Sequence, residues 1–314
     1  MSDEQKPALS IVIVSYNTCE MTLACIRSVF NETTTTNFEI IVVDNASSDG
    51  SAEKIEKEFG NKVNLTRLPD NVGFAAGNNV AAKYVKSDLI LLLNPDTVVL
   101  DKAIDNLVSF SIRNQDSMIW GGITLFGDKS LNPTSCWQKV TLWNIFCRTF
   151  GLSLLFKNSP LFNSEQYAGW KRDTIKYVDI VSGCLLLIKT SLWNTLDGFD
   201  NDFFMYAEDA DLCLRAVKYG AKPLITPDAI IIHYGGASGS IKEETKIRLF
   251  KAKILLMKKH WGKYKYTLGR YLYLLYPFNK MIAHKILSLI NKRYEGESLV
   301  WSEVWKRRKE WLNS

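Results

Sequence analysis

Apolar and polar residues alternate along this chain in blocks that read as strands and helices in turn. Residues 9–15 (LSIVIVS) form a continuous apolar, β-branched run that closes on the polar Ser15-Tyr16-Asn17, the pattern of a strand buried on both faces. Helical spacing of apolar residues follows over 19–30. A second buried strand is predicted at 38–43 and a second helix at 51–59. A third strand (63–68), a helix of small residues (73–85) and a fourth strand (88–93) come next, the last running straight into Asn94-Pro95-Asp96. Beyond a helix at 102–113 and an apolar stretch at 118–126, regular patterning resumes only at 177–180 and 184–188. A helix at 210–218 and short apolar runs at 222–226 and 229–233 complete it. Strands alternating with helices predict an α/β fold with a mostly parallel central sheet and right-handed crossovers.

Between residues 127 and 176 the periodicity fades while aromatics persist, among them Trp137, Trp143, Phe146, Phe150, Phe156 and Trp170. This segment reads as an insertion near the acceptor side of a site, and a packed satellite core accounts for the same residues. At 314 residues and 46% hydrophobic, the chain has room for one large domain, predicted at 1–241, and an appendage at 242–314. Charge supports that division. Residues 242–314 hold 18 Lys and Arg against 6 Asp and Glu, whereas the remainder is net acidic, so the formal +6 is confined to the tail.

The six cysteines show no C-x-x-C pair, which excludes a recognisable zinc or disulfide framework. Met1–Pro7 lacks an apolar signal core, and no run is long and apolar enough to span a bilayer. A reducing, cytoplasmic setting is the expectation.

In open α/β sheets, ligands bind beyond the carboxyl ends of strands. Three such ends here are polar: Ser15-Tyr16-Asn17, the turn from Asp44 to Gly50, and Asn94-Pro95-Asp96. Asp44 is suited to accept the imide N–H of a uracil or thymine. The small-residue stretch from Asn71 through Gly73 to Asn78 opens a helix where backbone can approach a pyrophosphate. Asp96 offers a hard oxygen for Mg²⁺ or Mn²⁺, with Asn94 and His233 as accessory donors. Glu208-Asp209-Ala210-Asp211 begins a helix. The helix dipole explains one or two of its carboxylates, but the aromatic approach Phe203-Phe204-Met205-Tyr206 would bury one and make it basic.

Taken in order, Ile11–Asn17, Val43–Gly50, Asn71–Asn78, Asn94-Pro95-Asp96, Gly198-Phe199-Asp200, Phe204–Arg215 and His233 resemble glycosyltransferase family 2, in its bacterial rhamnosyltransferase-like branch. The resemblance spans about residues 8–240 and is specific as a set. It implies a GT-A fold, a dTDP- or UDP-sugar donor, a divalent metal and inversion by direct displacement. Carried over by position, Asp44 contacts the nucleobase, Asp96 and His233 hold the metal, and Asp209 is the base, with Asp211 a rival and Glu208 beside them. Ser15, Asn17, Asn71, Gly73, Asn78 and Asn94 complete the expected donor site. Asn94 departs from the family, in which an aspartate is common, and lowers the negative charge of the metal site.

From residue 247 onward, cations such as Lys251, Lys253 and Lys258 interleave with Leu255, Trp261 and Tyr264. That is the composition of a helix lying on an anionic membrane, and docking on the protein itself explains the apolar half equally well. Nucleic acid is not expected, since no nucleic-acid motif accompanies the basic residues. The reading is an inverting transferase, peripheral on the inner face of the plasma membrane. It would move a sugar, rhamnose from dTDP-rhamnose, to a polyprenyl-linked saccharide. A UDP-hexose transferase and a non-catalytic saccharide-binding protein on the same fold are the alternatives.

Overall fold

The computed structural model describes residues 6–235 and 242–312. The expected boundary at residue 241, and most of the charged start at Met1–Pro7, lie outside the described residues. The chain forms two compact units. One comprises Met1–Trp137 with Lys171–Ser238, the other Gln138–Trp170 with Gly239–Ser314.

In the first unit, β1 (Leu9–Ser15), α1 (Cys19–Glu32), β2 (Phe38–Asp44), α2 (Ser51–Phe59), β3 (Asn64–Arg67), α3 (Phe74–Ala82) and β4 (Leu89–Leu93) follow the predicted alternation. β5 (Thr97–Val99), α4 (Ala103–Arg113) and β6 (Ile119–Leu125) come next, with the short β7 (Leu131–Asn132) and β8 (Cys136–Trp137). The central sheet has the order β3-β2-β1-β4-β11-β6-β12-β5, where β11 is Leu185–Lys189 and β12 Leu224–His233. β1 pairs in parallel with both β2 and β4, and every residue of β1 is buried. Strands covered by helices on both faces have no solvent face to mark with polar residues, which is why they read as unbroken apolar runs.

Two details differ from the sequence pattern. The parallel arrangement is interrupted, because β11 runs antiparallel to both β4 and β6, and β5 antiparallel to β12. The runs at 222–226 and 229–233 are one strand, whose register with β6 shifts between Ile225 and Ile230. Such a shift admits Pro227 and Asp228, residues that a regular interior strand excludes.

The aromatic-rich segment is likewise divided. Its flanks supply β7, β8 and β9 (Lys176–Tyr177) to the first unit, whereas 138–170 belongs to the second. There α5 (Leu142–Thr149) and α6 (Leu152–Leu155) join the tail helices α9 (Lys242–His260), α10 (Lys263–Ile290), α11 (Glu295–Lys306) and α12 (Arg308–Leu312). The first unit continues through β10 (Ile180–Val181), α7 (Thr190–Thr195) and α8 (Glu208–Val217). Ile145 packs with Phe250, Tyr273, Trp301 and Trp311 in the core of the second unit. Glu165 ties its parts together by pairing with Arg148 at 2.6 Å and with Lys253. Burial opposes the charge on this carboxylate, but the two cations prevail and hold its pKa near about 2.

Replacing Glu165 by Gln leaves two partly buried cations facing a neutral amide. Loss of one partner from a buried ion pair typically costs about 3–5 kcal/mol. Urea unfolding of Glu165→Gln at neutral pH is therefore expected to show a midpoint well below that of the parent protein, and an unchanged midpoint would mean that the triad is not what secures this unit.

Candidate active site

Sheet topology gathers the site. β1, β2 and β4 are mutually aligned, and two successive reversals through β11 and β6 bring β12 into the same direction. The carboxyl ends of all four strands, Ser15, Asp44, Leu93 and His233, thus lie along one edge. β11 arrives at that edge by its amino end, with Leu185 opposite Leu93, which places Gly183 and Cys184 beside Asn94.

On the donor side, Asp44 is 3% exposed. One of its oxygens accepts from the backbone N–H of Ser47 (3.1 Å), and the other, Oδ1, is buried without a partner. Asn17 holds the facing loop, its side-chain oxygen accepting from Ser48 N–H at 2.8 Å. Asn71 Oδ1 accepts from Gly73 N–H (3.0 Å) and from the Asn45 amide (3.0 Å). Gly73 has φ +87°, and a Cβ there would stand 2.4 Å from the carbonyl oxygen of Phe204, so only glycine fits. Phe74 N–H donates to that same carbonyl at 2.8 Å, docking the Gly73 turn onto the approach to α8.

Two residues of the expected donor site have their side chains engaged within the chain. Ser15 is fully buried with its hydroxyl shared between Thr22 (2.9 Å) and Thr18 (3.3 Å), so its side chain secures the turn into α1. Asn78, 1% exposed, turns its amide back to the carbonyl of Phe74 at 2.8 Å within α3.

Beyond β4, His233 Nε2 lies 3.4 Å from Asp96 Oδ1 and 3.3 Å from Asn94 Nδ2. Pairing of β5 with β12 sets His233 opposite Thr97, and Tyr234 N–H donates to the Asp96 carbonyl. Burial acts to lower the pKa of the imidazole, but Cys184 and Asp96 raise it to about 10. Asn94 Oδ1 and His233 Nδ1 are buried without partners. These donors fit a divalent cation that takes the rest of its shell from phosphate and water, as Mg²⁺ commonly does. Among the described residues no group of three His, Cys, Asp or Glu assembles for a metal. The residues that would hold such a cation are Asp96 and His233, with Asn94 beside them. An imidazole ligates as the neutral base, so a cation entering here exchanges for its proton.

At α8 the three acids separate in role. Asp209 accepts from Gly183 N–H (3.0 Å) and Ala210 N–H (2.7 Å). Burial raises its pKa against those hydrogen bonds. Glu208 is buried with Oε2 unpartnered, and burial followed by the adjacent Asp209 charge raises its pKa too. Two interacting carboxyls of this kind titrate as a pair. Asp211, 2% exposed, instead pairs with Arg215 Nε at 2.6 Å. Arg215 in turn donates to the carbonyls of Leu196 (2.7 Å) and Gly198 (2.9 Å). Asp211 thus acts through Arg215 to hold the Gly198 loop. Tyr206 and Ala207, just before α8, have φ of +74° and +66°. Non-glycine residues there cost about 1–3 kcal/mol each, a strain found where surrounding structure must fix a functional group.

Sequence reasoning missed Asn45, Gly183 and Cys184. Asn45 accepts from Val72 N–H and donates to Asn71 and to the Gly73 carbonyl, joining β2 to the glycine turn. Gly183 and Cys184 precede an apolar strand, and only the Ser182-Gly183 pair at that border signalled a special backbone.

Comparison with known proteins bears on the family and the fold. Rhamnosyltransferase WbbL of Escherichia coli K12 is 33% identical over 171 residues, which are 52% of this chain and 61% of WbbL. The Escherichia coli UDP-Glc:alpha-D-GlcNAc-diphosphoundecaprenol beta-1,3-glucosyltransferase WfgD is 27% identical over 172 residues, covering 52% of this chain and 68% of WfgD. The chain thus spans about three-fifths of WbbL. Among solved structures, the mannosyltransferase PcManGT from Pyrobaculum calidifontis, in complex with GDP-Man and Mn²⁺, superposes with a TM-score of 0.58 at 16% identity. The superposition covers 96% of this chain and 86% of that one, and it identifies the fold as GT-A-like, a mixed α/β sheet flanked by helices. The Glycosyl transferase family 2 profile matches residues 10–192, more than half of the length, and the chain belongs to that family.

Proposed function

We propose that this protein moves one sugar from a nucleotide diphosphate to a saccharide hydroxyl, with inversion at the anomeric carbon. The observation that carries the reading is the tie between two groups with opposite tasks. Gly183 N–H holds Asp209, and the next residue, Cys184, accepts from Asn94 N–H at 3.2 Å. A buried carboxylate raised in basicity and a leaving-group site are thereby fixed to one short piece of backbone, which is what a single displacement needs.

In that displacement the acceptor oxygen attacks the anomeric carbon opposite the diphosphate. The bond from that carbon to the diphosphate oxygen breaks with its electron pair as the new bond forms, and the acceptor proton passes to Asp209. Asp44 Oδ1, buried and unpartnered, accepts the imide N–H of uracil or thymine. Asp96 and His233 would hold Mg²⁺ or Mn²⁺, which supplies charge neutralisation to the departing diphosphate.

The donor is dTDP-rhamnose and the acceptor a polyprenyl-linked saccharide of cell-surface polysaccharide synthesis; the likeness to the rhamnosyltransferase WbbL supports the sugar, and the diphosphoundecaprenol acceptor in the name of WfgD supports the lipid. A UDP-hexose donor is the second reading, favoured by the likeness to WfgD. Assay of the purified protein against UDP- and dTDP-sugars with Mg²⁺ separates them. Transfer confined to a UDP-hexose removes the rhamnose assignment, and failure of any nucleotide sugar to raise Tm favours a non-catalytic protein, because a ligand bound only by the native state must stabilise it.

Asp209→Asn is expected to lower kcat by about 10²–10⁴-fold, the span of general-base catalysis, with nucleotide affinity retained in calorimetry. Asp211→Asn is expected to lower Tm first, since it frees Arg215 from its carboxylate. An inactive Asp211→Asn of normal stability beside an active Asp209→Asn would reverse the assignment.

The pH profile follows in sign. The base acts ionised, and burial raises the pKa of both Asp209 and Glu208, so kcat should climb with pH along a limb placed above the ordinary carboxylate range of about 4. A limb at or below that range would show that the working carboxylate is solvated.

A further inference from the structure

In the second unit, α10 carries a stripe of apolar residues that faces solvent. Tyr264, Leu268, Tyr271, Leu275, Phe278 and Ile282 succeed one another at alternate steps of four and three, and all six are exposed, Tyr264 to 92%. The stripe runs on to Leu289, 87% exposed, and at 1.5 Å per residue it is about 37 Å long. The opposite face, with Gly269, Tyr273, Pro277 and Met281, is the buried one. The exposed stripe is therefore not the face by which the helix packs.

A second exposed apolar group adjoins the first. Thr149, at the end of α5, donates through its hydroxyl to the Leu272 carbonyl (3.1 Å) and accepts through its own carbonyl from the Asn279 amide (3.0 Å). Leu272 and Asn279 each lie four residues beyond a member of the stripe, Leu268 and Leu275, so α5 is fastened along its edge. There Trp143, Phe146 and Phe150 stack in sequence, with centroids 5.7 and 4.7 Å apart, and all three are exposed. Single exposed apolar residues need no explanation, but two adjoining clusters of this length mark an interaction surface.

Charge identifies the occupant. α10 contains five Lys and Arg and no Asp or Glu in 28 residues. Lys263 and Lys265 stand at one end of the stripe, and Lys285 lies toward the other, all exposed. A second copy of the helix, laid along the stripe in either direction, would set cations against cations with no acid to relieve them. A bilayer with anionic headgroups presents both things the surface lacks, an apolar layer and negative charge. No helix among the described residues is long and apolar enough to cross a membrane, so the contact lies in the plane of the interface.

We infer that the exposed face of α10, together with the Trp143–Phe150 cluster, is a docking surface for an anionic lipid membrane. The inference is independent of the catalytic reading, since it uses no residue of the proposed site. It is tested with the full chain and vesicles of phosphatidylcholine containing about one-third phosphatidylglycerol, by flotation at low and high salt. Binding to these vesicles is expected to exceed binding to pure phosphatidylcholine by at least about tenfold and to weaken with salt. The double variant Leu275→Glu/Ile282→Glu should lose about tenfold or more in vesicle affinity, with unchanged Tm because both positions face solvent. Equal flotation of variant and parent would overturn the proposal. So would a parent that ignores vesicles and forms a dimer in light scattering that the variant abolishes, since the face would then join two copies of the chain.

Discussion

The site depends on the reversal of one strand. Because β11 enters the sheet against the direction of β4, its amino end and not its carboxyl end reaches the edge where β1, β2, β4 and β12 terminate. Two neighbouring residues thereby deliver a backbone donor and a backbone acceptor to this edge. The Gly183 N–H points at Asp209, and the Cys184 carbonyl receives the N–H of Asn94. An all-parallel sheet would bring a carboxyl end to this point, and the loop before β11 could not span α8 and the turn after β4 together.

The same edge concentrates polar groups that folding alone does not satisfy. Asp44, Asn94, Glu208 and His233 each keep a buried side-chain atom with no hydrogen-bond partner. Leaving such an atom unpaired costs about 1–3 kcal/mol. The strained backbone at Tyr206 and Ala207 adds to that cost. A cluster of this kind persists only if the surrounding structure is rigid enough to hold it, and that rigidity is visible. Arg215 spans Asp211 and the Gly198 loop, Asn79 clamps Phe199 through both backbone groups, and Asn45 clamps the Gly73 turn. These fastenings use side-chain amides and a guanidinium on loop backbone, so the loops around the candidate site are pinned to α3, to α8 and to the end of β2.

Much of this was legible in the sequence, for physical reasons. Fully buried strands must be apolar without interruption, and the polar residues that end them stand out; hence the strands at 9–15, 38–43 and 88–93 are legible, and Asp44 and Asp96 stand at their ends as candidates. What composition cannot express is direction and partnership. Nothing in Leu185–Lys189 distinguishes an antiparallel strand from a parallel one when both faces are covered. Asp209 and Asp211 occupy equivalent positions in a string of acids, and only the location of Arg215 four residues on, with its other nitrogens engaged by loop carbonyls, separates them. Ser15 and Asn78 carry polar atoms at a strand end and a glycine-rich helix, where a ligand contact is the natural expectation, yet each is used by the chain itself. On α10 the amphipathic pattern was clear, but which of its two apolar faces was covered required the packing of α5, α9 and α11.

Asn94 bears on how the proposed nucleotide donor would be held. A pair of aspartates at positions 94 and 96 would place two like charges beside an incoming diphosphate, and a cation would be needed before the anion could approach. Here Asp96 is the sole carboxylate of the two, and the imidazole of His233, kept basic by Cys184 and Asp96, offsets it. The carboxylate charge at these two positions is therefore half that of an aspartate pair. Under the proposed function a diphosphate would meet less repulsion on that side, and the amide nitrogen of Asn94 would be the atom able to donate to it. In the proposed reaction the neutral side chain would move part of the work of receiving the leaving group from the cation to the protein, at the residue whose backbone N–H is held by the Cys184 carbonyl, next to the Gly183 N–H that holds Asp209.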